Sequence, residues 1–365
     1  MMNWKEKREQ LIRQLPTLLD ILEDISLREE MFQLNQGPFK GFFPTYYQEG
    51  MFTTMQDTDG RIQLWPMGLR PFIYYRGQFQ YFPKCEPSLF RSTMTPSKVF
   101  LERLRASELE LIMKRHPMHD IFQHGTFFTY PDGSKELVSL SIDYLALAQH
   151  YGICTELLDL TVDKWVAAFF ASTRYENGKY YPVTNTNSYG VFYEICEQTD
   201  DMMPGVTAAN RRIRAVGLQP FSRPGEQAGF VYKMKKGQNF NRMCNRKIKF
   251  RHDPEVSQLI FNYANRSKKL FPYELLQEKA EVLKTHTTFS QAAYDMTIDR
   301  YFPNTDASKM EQWIVEQNIH IQDNPLTSFT DKERDDFMKE WPKKEKSFYS
   351  RIFVRTVYQG AIHKA

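Results

Sequence analysis

The chain has 365 residues, 41 % hydrophobic and 15 % aromatic, with 28 Phe and 20 Tyr; this excludes global disorder, allows a sizeable core and predicts roughly two domains. A formal charge of +4 is too small to define a partner, and no run of about 18 apolar residues predicts a membrane-spanning helix. The N-terminal stretch lacks the apolar core of a secretory signal, and Cys85, Cys154, Cys196 and Cys244 form no CxxC pair, so a reduced, cytoplasmic setting is expected.

Residues 4–34 read as helical. Leu11, Leu15, Leu18, Leu19, Ile21, Leu22 and Ile25 recur near helical spacing, and NQGP at 35–38 closes the piece. Residues 51–67 read as a hairpin around DTDG. In the following IYYRGQ strand, alternation places Phe72, Tyr74 and Arg76 on one face and Ile73, Tyr75 and Gly77 on the other. A helix rich in Glu, Leu and Arg is predicted over 96–115. Leu137, Leu140, Tyr144, Leu147, Ala148 and Tyr151 form an apolar stripe at helical spacing, with Gly152 as the C′ residue. Thr161 is the expected N-cap of a second helix, with Asp163 in its first turn and Val162, Trp165, Val166, Phe169 and Thr173 on one face. Strands are expected at 189–195, 228–234 and 246–250, and mostly helical structure from Pro254 onward, through Trp313 and Trp341. The expected fold is α+β: an N-terminal helical segment at 1–44, an α+β core with a mixed β-sheet at 45–255, and a mainly helical region at 256–365.

The charge is unevenly spread. Between Arg211 and Arg251, twelve Lys or Arg face a single acidic residue, Glu226, so the block carries +11 and the remainder −7. Phe240 and Phe250 interleave with these charges, as in nucleic-acid binders. Arg242, Arg246, Lys247, Lys249 and Arg251 are the candidate contacts; a solvated face or a partner surface is the plainer reading. His116, His119 and His124 do not suggest a metal site, because Pro117 interrupts the helix that would align them and no further ligand completes a set.

The densest polar constellation is His150, Thr155, Asp159 and Thr161, within twelve positions between two apolar-faced helical stretches. Together with Tyr75-Arg76-Gly77-Gln78, the segment Pro87 to Arg91, Ala148-Gln149-His150-Tyr151-Gly152, Leu157-Leu158-Asp159, Ala167 to Ala171, and Arg223, Gln227, Gly229 and Phe230, it resembles the FRG domain, named for a Phe-Arg-Gly motif. The chain departs in having Tyr75 where the naming Phe belongs and Glu156 where a basic residue is common.

The resemblance implies an ADP-ribosyltransferase-like core, NAD as co-substrate, a place in a bacterial toxin or phage-defence system, and an antitoxin or other neutralising partner. On that reading Tyr75, Arg76, Gly77, Gln78, His150, Tyr151, Thr155 and Asp159 bind NAD. Arg76 suits a phosphate, because a guanidinium bonds it through two N–H groups, and Gly77 would let backbone approach the ligand. His150, in the last turn of a helix, would be favoured as a cation and would bond a ribose hydroxyl. Asp159 would hold the Thr155 loop or pair with Arg76. A group that steadies positive charge on the ribose is expected at Glu226 or Gln227, pointing opposite ways on a strand, or at Glu194. The acceptor expected from the basic block is RNA or DNA. The alternatives are a non-catalytic nucleic-acid-binding module or an adaptor in a defence complex.

Overall fold

A computed structural model of the protein describes residues 4–34, 50–56, 61–70, 72–129, 133–196, 212–218 and 221–353. The predicted turns at 35–38 and 57–60, and Arg211, lie outside the described residues.

The fold is α+β around a six-stranded sheet. Its strands lie in the order Ile213–Ala215, Gly229–Lys233, Leu157–Thr161, Ile73–Gln78, Tyr189–Cys196 and Arg246–Arg251, and every pairing is antiparallel. Parallel pairing occurs outside it, between Thr288–Ser290 and His320–Gln322 and between Phe52–Gln56 and Ile352–Phe353. The Ile73–Gln78 strand pairs with Tyr189–Cys196 along its whole length, from Ile73↔Cys196 to Gln78↔Val191. With Leu157–Thr161 it shares one pair, Tyr75↔Thr161. The sheet is therefore two three-stranded halves hinged on a single rung.

Alternation sorts the motif strand as expected. Ile73 and Tyr75 join an apolar cluster with Phe169, Phe192 and Phe250, while Tyr74 faces a second cluster with Leu160, Tyr193 and Phe230. Burying each such side chain contributes about 1.5–3 kcal/mol. The Lys164–Ser172 helix covers the first face with its small residues Ala167, Ala168 and Ala171. A Cβ at Gly77 would lie 1.9 Å from the Ala167 carbonyl oxygen. Gly77 is thus required by the crossing of helix over strand, not by the approach of a ligand to backbone.

Three local expectations are corrected. The helix expected over 4–34 is two, Trp4–Arg13 and Leu18–Leu34, because Pro16 cannot continue the first; Thr17 and Asp20 cap the second reciprocally. The stripe from Leu137 to Tyr151 is not one helix. Lys135–Val138 is a strand with Leu137 exposed, and the helix runs only Tyr144–His150 from an Asp143 N-cap. Thr161 ends a strand, and Asp163 is the N-cap of the next helix, accepting from the Trp165 N–H.

The outer helices join the same cores. Leu276, Ala280 and Leu283 pack with Leu109, Leu147 and Tyr151. Leu18, Ile21 and Ile25 from the N-terminal side, and Ile260 from the C-terminal side, pack with Tyr75 and Phe169. Apolar clusters therefore run across the boundaries near 44 and 255.

Candidate functional site

Beyond the Tyr75↔Thr161 rung the two middle strands part. Arg76, Gly77 and Gln78 on one side and Leu160 and Asp159 on the other line a cavity of about 320 Å³, the lower end of the usual range for ligand pockets. Arg76 spans the gap. Its Nη1 donates to the Asp159 carbonyl oxygen at 2.7 Å, in place of the ladder bond the strands no longer make. The walls come from Val166, Ala167 and Phe170 of the covering helix, from Thr173, Tyr175 and Tyr180 after it, and from Phe79, Phe82 and Arg91 after the motif strand. His150 and Gln227 complete the lining.

His150 ends the Tyr144–His150 helix and is almost wholly enclosed. Gly229 makes room for it: a Cβ there would sit 2.6 Å from the imidazole Cε1. Burial pushes the His150 pKa down to about 4; the Asp159 carboxylate pulls it up, Arg223 pushes it further down, and Gln227 gives a small upward pull. The expected helix-end cation is therefore corrected to a neutral ring, because desolvation outweighs both the helix dipole and the carboxylate. Neither ring nitrogen has a hydrogen-bond partner of acceptable geometry. Nε2 lies 3.7 Å from Asp159 Oδ1, beyond a hydrogen bond. Asp159 Oδ1 and Arg76 Nε are likewise buried without a partner. Unmet buried polar atoms cost about 1–3 kcal/mol each, and four of them, from His150, Asp159 and Arg76, gather at this cavity.

Thr155 does not line this cavity. Fully buried, its hydroxyl donates to Gln149 Oε1 at 2.5 Å, and Gln149 Nε2 donates to Asp159 Oδ2 at 3.1 Å. Direct ligand contact by Thr155 is thus corrected to a relay that orients the Asp159 carboxylate. Gln149, the middle of that relay, sits within the AQHYG stretch, where a neutral amide beside His150 gives no local signal of its role. Asp159 does not pair with Arg76 through its carboxylate; the bond is to its backbone. Tyr151 is also out of the cavity, with its hydroxyl donating to Glu274 Oε1 at 2.5 Å and the Arg223 guanidinium 5.4 Å from its ring centre. Tyr75 lines the cavity but is buried, with its hydroxyl 3.4 Å from Glu29 Oε1. Gln78 accepts from the Tyr193 hydroxyl at 3.0 Å.

Glu226 and Gln227 do face apart, for a different reason than strand alternation. Ser222–Glu226 is a short helix, Gln227 is its C-cap, and Ala228 follows at φ 43°, a left-handed conformation costly for alanine. Gln227 faces the cavity and is held by Thr161, whose hydroxyl donates to its carbonyl at 2.8 Å, and by its own Nε2 to Leu270 O at 3.0 Å. Glu226 points away and pairs with Arg351 at 2.9 Å. Glu194 is enclosed by Arg28 at 2.7 Å and Arg70 at 3.9 Å. Both are corrected as groups for the cavity. Among the described lining residues Asp159 is the one carboxylate.

The basic block divides. Arg214 is buried against Asp143 at 3.0 Å. Arg246 pairs with Asp24 at 2.8 Å, and Arg251 lies near enough to Asp20 to help hold its carboxyl below the usual range, behind the bonds from Thr17. Arg242, Lys247 and Lys249 remain exposed. Among the described residues no cluster of three His, Cys, Asp or Glu side chains could hold a metal ion, and no helix is long and apolar enough to cross a membrane. His119 instead bonds the Tyr144 hydroxyl at 2.6 Å.

The hinge rung, the covering helix and most of the cavity lining, Tyr180 and Gln227 excepted, fall within one unit. Residues 72–179 match the FRG domain, under a third of the chain. Arg223, Gln227 and Gly229 lie outside the match, yet fold back against His150. No curated protein and no solved structure matches the chain.

Proposed function

We propose that the cavity at the sheet hinge binds the nicotinamide–ribose end of NAD, and that the protein is an ADP-ribosyltransferase with a nucleic-acid acceptor. The observation that carries this is the convergence of His150, Asp159 and Arg76, each with a buried polar atom lacking a partner, on one aromatic-walled cavity. Such groups suit a ligand with ribose hydroxyls, phosphates and a flat ring. Arg76 and Arg91 would face the phosphates. Neutral His150 offers one donor and one acceptor to the ribose. Phe170, Tyr175 and Tyr180 would flank the nicotinamide.

Cleavage of the bond to nicotinamide builds positive charge on the ribose. Asp159, oriented by Gln149 and Thr155, is the carboxylate placed to steady that charge, in the role expected of Glu226 or Gln227. Gln227 holds the end of the Leu157–Thr161 strand through the Thr161 hydroxyl. A toxin or phage-defence role, with a neutralising partner, belongs to the same proposal and draws its support from the FRG match. The test is nicotinamide release from NAD in the presence of RNA, DNA and protein, with a thermal-shift titration for binding. Wild type should release nicotinamide, and Asp159→Asn should lose roughly 10²- to 10³-fold in turnover while still binding NAD. A folded wild type that neither binds NAD nor releases nicotinamide would end the enzyme reading in favour of a binding module.

A further inference from the structure

The outer edge of the sheet carries a feature that the NAD reading does not use. Tyr81 and Tyr189 lie nearly parallel, with ring centres 6.3 Å apart and planes at 25°. Lys249 Nζ is 4.8 Å from the first ring centre and 5.2 Å from the second, and Lys247 Nζ is 5.8 Å from the Tyr81 ring. Both lysines are exposed on the edge strand Arg246–Arg251. Lysines on an edge strand also block strand addition. That role does not require two parallel aromatic rings beneath them.

The platform is rigid and adjoins the cavity. Tyr81 sits between Phe79 and Phe82, which line the cavity. Its loop is held by three side chains, Asn239 and Asn241 from one turn and His252 from just past the edge strand. Asn241 Nδ2 donates to Phe82 O at 2.8 Å, Asn239 Nδ2 to Pro83 O at 2.9 Å, and His252 Nε2 lies 2.7 Å from Phe79 O. A preorganised aromatic surface with flanking ammonium groups takes unpaired bases by stacking and their phosphates by charge. A duplex hides its base faces and would use only the lysines.

We infer that Tyr81 and Tyr189, flanked by Lys247 and Lys249, form a docking surface for single-stranded nucleic acid, which leads the acceptor to the rim of the cavity. The inference rests on the nucleic-acid acceptor reading of that same cavity. The exposed Lys247 and Lys249 provide the charge complementarity, while Arg246 and Arg251 are turned toward the acidic Leu18–Leu34 helix.

The test uses the full chain without NAD and a labelled single strand of about 12 nucleotides, within the span such surfaces cover. Fluorescence anisotropy should show tighter binding than to a duplex of the same sequence. Tyr81→Leu and Tyr189→Leu should each weaken binding by roughly 10- to 100-fold, whereas Tyr81→Phe and Tyr189→Phe should retain it. Lys247→Gln with Lys249→Gln should flatten the log–log salt slope by about 1.4, at about 0.7 for each phosphate contact. Equal affinity for duplex and single strand, or Leu variants that bind like wild type, would overturn the inference. So would Phe variants that fail along with the Leu variants. Because no NAD is present, such a failure leaves nicotinamide release to judge the cavity separately.

Discussion

Two buried histidines show how similar burial can serve different ends. His150 at the sheet hinge and His116 beneath the C-terminal helix are both nearly inaccessible, and burial drives their pKa down to about 4 and about 3. At His116 one ring nitrogen is partnered. Its Nδ1 accepts from the Met118 N–H at 3.3 Å, and its ring lies 4.4–5.2 Å from those of Phe221, Phe329 and Phe337. His150 has neither kind of partner for its nitrogens. The cavity beside His116 is the larger, about 480 Å³, with Glu274, Glu333 and Trp341 in its lining. Its four carboxylates are engaged: Glu274 takes the Tyr151 hydroxyl and the Ser222 N–H, Glu333 takes Lys279, and Asp336 and Glu340 pair with Lys339 and Lys344 at the surface. Unmet polar valence, rather than cavity size, singles out the hinge.

The same substitution at both histidines sharpens the contrast. His150→Leu should lower NAD turnover by roughly 10²- to 10³-fold, the scale for one preorganised polar group. Its urea midpoint should hold or rise, since two orphaned nitrogens are replaced by apolar surface. Retained turnover would separate His150 from the chemistry and collapse the distinction between the two sites.

A pH titration of stability follows. Both histidines are neutral when folded, with pKa values below the unfolded value of about 6.5. Their contribution is full above about pH 6.5 and is lost as the pH falls toward the folded values of about 4 and 3. Urea unfolding of wild type at pH 7 and pH 4 should differ by on the order of 3 kcal/mol for His150 alone. His150→Leu should shrink that difference. A Leu variant with an unchanged pH dependence would show that its ring titrates normally.

The smallest effect is expected at His116. His116→Leu breaks the edge contacts with three phenylalanines and leaves the Met118 N–H unpaired, so stability should fall by about 1–3 kcal/mol. Turnover per folded molecule should not change. A loss of turnover there would mean that the two regions are coupled through Phe221, whose ring lies near both His116 and Tyr151.

Short-range chemistry was legible from residue order. Alternation in IYYRGQ placed Ile73 and Tyr75 opposite Tyr74, the helix after Thr95 begins where Pro96 and the Thr95 hydroxyl start it, and the antiparallel pairing of Phe52–Gln56 with Ile62–Pro66 follows the expected hairpin. These depend on neighbours a few positions apart. His150 and Asp159 could also be picked out, as polar groups crowded between core-forming segments, and Arg76 and Gln227 through the resemblance to the FRG domain. What they do was decided at long range. One rung between Tyr75 and Thr161 opens the sheet, and no local pattern reports where a ladder stops. The ring of His150 is neutral because the fold buries it against Gly229, which outweighs the helix end that the sequence showed. Glu226 is out of the cavity because Arg351, far along the chain, pairs with it, while Gln149, itself bonded by Thr155, holds the Asp159 carboxylate at the cavity wall. Sequence determined which groups were available; burial and register, which depend on the whole chain, decided which of them face the cavity.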